Sequence, residues 1–188
     1  MEQETIIIPE GTKEIKDFEF AGQRGLRHVT IPDSVERIGV GAFNESGVEE
    51  VTMPASLKEI EDLSDLKRVD MSRCVHIREI LTPGFYRGGS DGVVYLPPMI
   101  ERIGDNCFKN LDYLYAPATL KEAGKMDMVG LFCPSPRLKS LKGLSRCILH
   151  PLEEYADRYR EQMSREGITE KALIIKPMNY YMAFMYEK

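Results

Sequence analysis

Residues Val29 to Phe43, VTIPDSVERIGVGAF, constrain the fold more than any other stretch, because the chain keeps rewriting them. A short alternating strand (Val29, Ile31) stops at Pro32. Ser34 follows, then Val35 and Ile38 three apart, then Gly39 and the pair Ala42-Phe43. Leu96 to Phe108 restates nearly all of this and Val51 to Ile60 its first half, while Ile8 to Phe18 and Ala116 to Gly124 are degenerate copies. Proline anchors set the period: Pro9 to Pro32 is 23 residues, Pro32 to Pro54 is 22 and Pro97 to Pro117 is 20. The 43 residues from Pro54 to Pro97 leave room for one irregular turn centred on Met71-Ser72. Self-similarity at such a period marks a solenoid, in which a unit cannot bury its apolar face alone and stacks on its neighbours.

Each position in the repeat has a physical job. Leu26, Val29 and Ile31 alternate inward, which sends Arg27, His28 and Thr30 outward. Proline ends the strand because it has no N–H for a ladder and fixes its φ angle. Two residues past each anchor stand Gly11, Ser34, Ser56, Cys74, Met99 and Thr119. Small hydroxyls and a thiol there can bond nearby backbone in a turn. Met99 cannot. With roughly five inward apolar residues per turn, each worth about 1.5–3 kcal/mol when buried, cohesion has to come from neighbouring turns.

The recurring residues resemble the BspA-like leucine-rich repeats of bacterial and protist surface proteins, whose signature is a strand ending Ile-Pro, then Ser-Val-x-x-Ile-Gly, then Ala-Phe. Ile31-Pro32, Ser34-Val35, Ile38-Gly39 and Ala42-Phe43 carry it, with Leu96-Pro97, Ile100, Ile103-Gly104 and Cys107-Phe108 as the next best copy. The resemblance covers roughly Ile6 to Leu152. It implies an α/β repeat solenoid: a right-handed coil of short parallel strands with turns and short helical segments, used as a binding surface at the cell exterior. It brings no catalytic residues.

The expected organisation is a solenoid over 1–151, with about six to seven irregular repeats, and a cap over 152–188. Pro151 opens a helix: proline suits the first helical position, Glu153 and Glu154 suit its positive end, and Gly167 stops it. Leu152, Tyr155, Ala156, Tyr159 and Met163 make its apolar stripe. This Pro-x-x-x-Tyr helix resembles the family's terminal unit. Beyond it, Ala172 to Ile175 reads as a strand, and Asn179 to Tyr186 is an aromatic tail expected to pack over the last turn, or else to serve as a dimer seam. Within the solenoid, Thr82 to Leu96 reads as a hairpin insertion, with Phe85-Tyr86 and Val93 to Tyr95 flanking the Asp91-Gly92 turn signal.

Composition narrows the function. A net charge of −5 disfavours general attraction to nucleic acid or anionic membrane, and the basic clusters at Lys67, Arg68 and Arg73 and at Arg137, Lys139, Lys142 and Arg146 read as solvated faces. No apolar run is long enough for membrane insertion as a helix. Cys74, Cys107, Cys133 and Cys147 form no C-x-x-C pair; they read as buried thiols, and a Cys133–Cys147 bridge is the one pairing worth checking. The start, MEQETIIIPEG, shows no signal-peptide pattern. Either Met1 begins an intracellular protein or an upstream segment has been removed, which leaves the localisation open.

Chemistry is poorly represented. His28, His76 and His150 fall at unrelated repeat positions, Glu49-Glu50 would point to opposite faces, and Arg87-Gly-Gly-Ser-Asp-Gly92 lacks the Gly-Lys-Ser/Thr ending of a phosphate loop. No cofactor and no enzymatic activity are expected. Asn44-Glu45-Ser46 matches the glycosylation acceptor and matters only in a secretory pathway. The outward residue before each strand's last inward one gives a column: Thr30, Thr52, Asp70, Tyr95, Tyr115, Phe132 and Ile148. At about 4.8 Å per strand, Tyr95, Tyr115 and Phe132, with Tyr113 nearby, form an aromatic strip, which is either a binding surface or covered by the terminal helix or tail. The expected function is therefore non-catalytic binding of a protein, or a glycan, by a monomer or weak homodimer. The alternative is a structural protein that self-associates through its tail.

Overall fold

A computed structural model of the chain describes residues 4–61, 66–81, 85–86, 92–126, 128–135, 137–144 and 146–178. It is a solenoid whose strands all pair in parallel. Glu4–Ile7 pairs with Leu26–Thr30 as a two-stranded sheet. Seven further strands then line the same face: Glu50–Thr52, Arg68–Asp70, Val93–Tyr95, Leu111–Tyr115, Met128–Phe132, Cys147–His150 and Leu173–Ile175. Two-residue strands form two smaller sheets elsewhere on the coil: Glu14–Ile15, Arg37–Ile38 and Glu59–Ile60, then Glu79–Ile80, Arg102–Ile103 and Glu122–Ala123.

Parallel stacking turns the repeat into columns. Val51, Val69, Val94, Leu114, Leu131 and Leu149 lie in one unbroken register and are all buried. Each fills the space above its counterpart, at about 1.5–3 kcal/mol per side chain. The small residue after each strand works between turns. Ser56 Oγ donates to the Val35 carbonyl (2.6 Å), Thr119 Oγ1 to that of Ile100 (2.7 Å), and the buried Ser135 Oγ to that of Leu120 (2.6 Å). The Cys74 thiol meets the Pro54 carbonyl at 3.3 Å. These bonds reach back one turn, where the sequence suggested bonds inside a turn. Met99, which lacks a polar atom for that bond, is exposed.

The Ile-Gly dipeptide, and Ala123-Gly124 at the same repeat position, are explained by close approach. A Cβ built on Gly39 would lie 2.6 Å from the Asp17 nitrogen, and one on Gly124 only 2.5 Å from the Gly104 carbonyl carbon. The obstacle is backbone in both cases, so no side-chain rotation relieves it. The aromatic slot lies five residues past the isoleucine: Phe43 follows Ile38, and Phe108 follows Ile103. In the first turn that slot holds Phe20, which stacks on Phe43 with centroids 5.7 Å apart. Phe18, the end of the degenerate copy, is exposed with a left-handed φ of 57°.

The expected hairpin at 82–96 is not formed among the described residues. Phe85–Tyr86 pairs in parallel with Phe108–Lys109, and Val93–Tyr95 is inserted between Arg68–Asp70 and Leu111–Tyr115. The physical reason is register: Phe85 lies five residues past Ile80, and its backbone pairs with that of Phe108 as in an ordinary turn. Phe85–Tyr86 then has one parallel neighbour and Val93–Tyr95 has two.

The short strands carry two charge columns. Arg37 stands between Glu14 and Glu59 in register and ion-pairs with both, as well as with Asp17 and Glu61. Arg102 repeats this between Glu79 and Glu122. One residue earlier the signs invert: Lys13 and Lys58 grip Glu36, and Arg78 and Lys121 grip Glu101. Next to one another, Lys58 and Arg78, or Glu59 and Glu79, would be like charges, and there the two small sheets are not paired.

The chain closes with a 3-10 turn, Glu153–Tyr155, and a helix, Ala156–Glu166, that ends on Gly167 at φ 69°. Ala156, Tyr159 and Met163 are its buried stripe, and the Tyr159 hydroxyl donates to the Ser135 carbonyl. The helix starts later than Pro151 because Leu152 makes a parallel bridge to Met178 instead. All four cysteines are buried and free, and burial raises the Cys133 and Cys147 thiols to about 12.

Gly124→Ala is expected to lower stability by about 2–4 kcal/mol, the range of severe overpacking against backbone, which urea unfolding would measure. Arg37→Met is expected to lower the melting temperature at low ionic strength, and the difference should shrink in about 1 M salt, where charges are screened within roughly 3 Å. The lysine hydrogen bonds also hold Glu36, Glu101 and Glu122 below the ordinary value of 4.5. Their contribution is complete above that pH and is lost as the pH falls through the lowered values, so the wild type should lose stability there with increasing steepness.

Candidate aromatic interface

The long-strand face changes character along its length. Its first strands present His28, Thr30, Glu50, Thr52 and Arg68, all exposed. From Val93 onward the same two outward positions turn apolar. Register places Val93, Tyr113, Gly130, Ile148 and Ile174 in one column, and Asp70, Tyr95, Tyr115, Phe132 and His150 in the other.

The second column is a ladder of stacked rings. Tyr95 lies on Tyr115 with centroids 4.7 Å apart and planes 9° from parallel. Tyr115 lies on Phe132 at 4.7 Å and 14°. Phe132 lies on His150 at 4.3 Å and 7°. The rungs match the spacing of the strands beneath, about 4.8 Å, so backbone hydrogen bonds hold the stack. Arg68 closes one end, its guanidinium carbon 4.7 Å from the Tyr95 centroid. At the other end His150 is fixed by its Nδ1, which donates to the Lys176 carbonyl at 2.9 Å. Burial lowers the His150 pKa from its ordinary value, favouring the neutral ring in the stack.

All four residues singled out in the sequence are therefore brought together. Tyr113, 38% exposed, stands in the neighbouring column and tilts onto Phe132 at 5.8 Å and 57°. Gly130 makes this possible, since a Cβ there would sit 3.0 Å from the Tyr113 ring. Ile148 does not belong to the aromatic column: it pairs with Gly130, and His150 follows Phe132. Counting back two residues from Pro97, Pro117 and Pro134 finds Tyr95, Tyr115 and Phe132, but His150 stands only one residue before Pro151, so the same count misses it.

Between the rings and the turns beyond the strands runs a groove of about 700 Å³, lined by Tyr95, Tyr115 and Phe132 on one side and Pro98, Pro117 and Pro134 on the other. Asp70, Ser72 and Arg73 form one end, and Met178 also lines it. Arg73 pairs with Asp33 at 2.5 Å, and the Asp70 carboxylate accepts the Ser72 amide at 2.9 Å. Of the two basic clusters, Lys67 pairs with Glu49 and Lys139 with Glu122. The glycine-rich stretch 87–91 and the tail 179–188 lie outside the described residues.

Among the described residues, no group of three or more His, Cys, Asp or Glu is arranged to hold a metal ion, and no helix is long and apolar enough to cross a membrane. No curated protein matches the chain. A leucine-rich repeat protein from Bacteroides ovatus, known from its crystal structure, is similar at 17% identity and a TM-score of 0.41, over 91% of this chain and 54% of that one. The chain thus spans about half the length of that protein. The model of the BspA-type leucine-rich repeat region matches residues 2–115 in six copies. Together with the stacked columns of the fold, that match makes this chain a member of the BspA-type leucine-rich repeat family.

Proposed function

We propose that this protein is a non-catalytic protein-binding module, adhesin-like or scaffold, whose partner docks on the long-strand face at Tyr95, Tyr113, Tyr115 and Phe132. Repeats of this family are generally interaction or scaffold modules and generally non-catalytic, which supports this reading. The ladder carries the localisation. Rings fixed by the strand register lose little conformational freedom on binding, and aromatic anchors dominate interface energies.

The orientation of the rings favours a protein over a glycan. A sugar platform offers ring faces, but here the faces of Tyr115 and Phe132 are turned to their neighbours in the stack. The edges of stacked rings suit backbone carbonyls and apolar side chains better than they suit a sugar face. In this reading residues 1–151 supply the surface and 152–188 close its end. The family resemblance further favours presentation at the cell surface, for which protease shaving of intact cells is the direct check.

A photo-crosslinking residue at Tyr113 is expected to trap a discrete protein partner in the native cell, and the same residue at the exposed Val75 is expected to trap none. Tyr115→Ala should reduce the Tyr113 crosslink by about tenfold or more, in line with the loss of a central aromatic anchor. Crosslinking from Val75 alone, or crosslinking at Tyr113 that Tyr115→Ala leaves unchanged, would count against the reading.

A further inference from the structure

Resting on that reading, the groove beside the ladder also indicates what kind of segment it receives. Its long walls are apolar: ring edges on one side, and Pro98, Pro117, Ala118 and Pro134 on the other. Among the described lining residues, only those at the Asp70, Ser72 and Arg73 end are charged. The cations there already have occupations, Arg73 with the Asp33 carboxylate and Arg68 with the Tyr95 ring face. The Asp70 carboxylate is different. It is half-buried, it accepts one backbone amide from Ser72, and no cation among the described residues pairs with it. A carboxylate has about four acceptor sites, so most of its capacity is unused within the fold.

Asp70 also stands next to Tyr95 in strand register, at the foot of the ladder. From its strand to that of Phe132 is three strand spacings, about 14 Å. An extended peptide covers that distance with about four residues at roughly 3.3 Å each.

We propose that the groove receives an extended segment of a partner protein, an apolar run of about four residues with a lysine or arginine at one end that meets Asp70. The apolar run lies along the ring edges and prolines. The cation supplies direction, because among the described lining residues the unmatched carboxylate stands at one end of the groove.

A random peptide library displayed on phage and panned on the intact chain, with counter-selection on Tyr115→Ala, tests this. The expected result is enrichment of apolar runs flanked on one side by Lys or Arg. Asp70→Asn, which keeps an oxygen for the Ser72 amide, should weaken those peptides by roughly tenfold, and norleucine in place of the cation should give no further loss in that variant. Unchanged melting temperature and circular dichroism would establish that Asp70→Asn is folded. Tyr115-dependent peptides with no basic preference, or with affinity indifferent to Asp70→Asn, would overturn the cation and leave the proposed function standing. Failure to enrich any Tyr115-dependent peptide, with Tyr115-dependent binding to a glycan array instead, would overturn both.

Discussion

Every feature of this molecule follows from parallel turns stacked at the spacing of a β-sheet. At that spacing a residue's main neighbour is its counterpart one turn away, so sequence similarity between repeats becomes physical contact. Valine and leucine form the buried column from Val51 to Leu149. Glycine recurs where Gly104 and Gly124 bring backbone against backbone. Even charge obeys the rule: a column succeeds when its signs alternate, as Glu14, Arg37 and Glu59 do, and the small sheets separate where Lys58 and Glu59 would meet Arg78 and Glu79. Each exposed pair contributes little alone, about 0–1 kcal/mol. Their collective effect is to penalise a slipped register, since a slip brings like charges together.

The same rule builds the interface. Aromatic residues at one repeat position have nowhere to go but onto each other, which yields a ladder whose rings are aligned by the backbone. The polar outward residues of the first turns give way to Tyr95, Tyr115, Phe132 and His150 in the turns nearest the terminal helix. That half of the solenoid is also tied together most fully. Its strands belong to the seven-stranded sheet, and Tyr159 and Glu166 anchor the helix to Ser135, Ser140 and Leu141. The surface assigned to binding therefore rests on the most cross-linked part of the fold.

Much of this was legible from Val29 to Phe43 alone, because the residue types that end a strand, turn the chain and fill the core are chemically distinct. The strip of Tyr95, Tyr113, Tyr115 and Phe132 was legible too, since parallel register converts equal repeat positions into contact. Two misreadings share one cause. Pairing Phe85-Tyr86 with Val93 to Tyr95, and placing Ile148 where His150 stands, each arose from trusting a local signal over the count from a buried column. Counting five residues from Ile15 and Ile80 finds Phe20 and Phe85. The charge columns were also written in the sequence, as Lys-Glu-Ile, Glu-Arg-Ile, Lys-Glu-Ile, Arg-Glu-Ile, Glu-Arg-Ile and Lys-Glu-Ala. Reading them required knowing that these triplets lie beside one another. The tilt of Tyr113 could not be read at all, for it depends on the missing side chain of Gly130.

Native-state hydrogen exchange tests most directly whether the binding surface is the rigid part of the solenoid. The account expects the slowest amides in Leu111–Tyr115 and Met128–Phe132, which have a paired strand on both sides, and the fastest strand amides in Glu4–Ile7, which has one. Rapid exchange across the aromatic strands, with protection concentrated in the first turns, would contradict it, because the ladder would then be a fluctuating surface without the preorganisation on which its role rests.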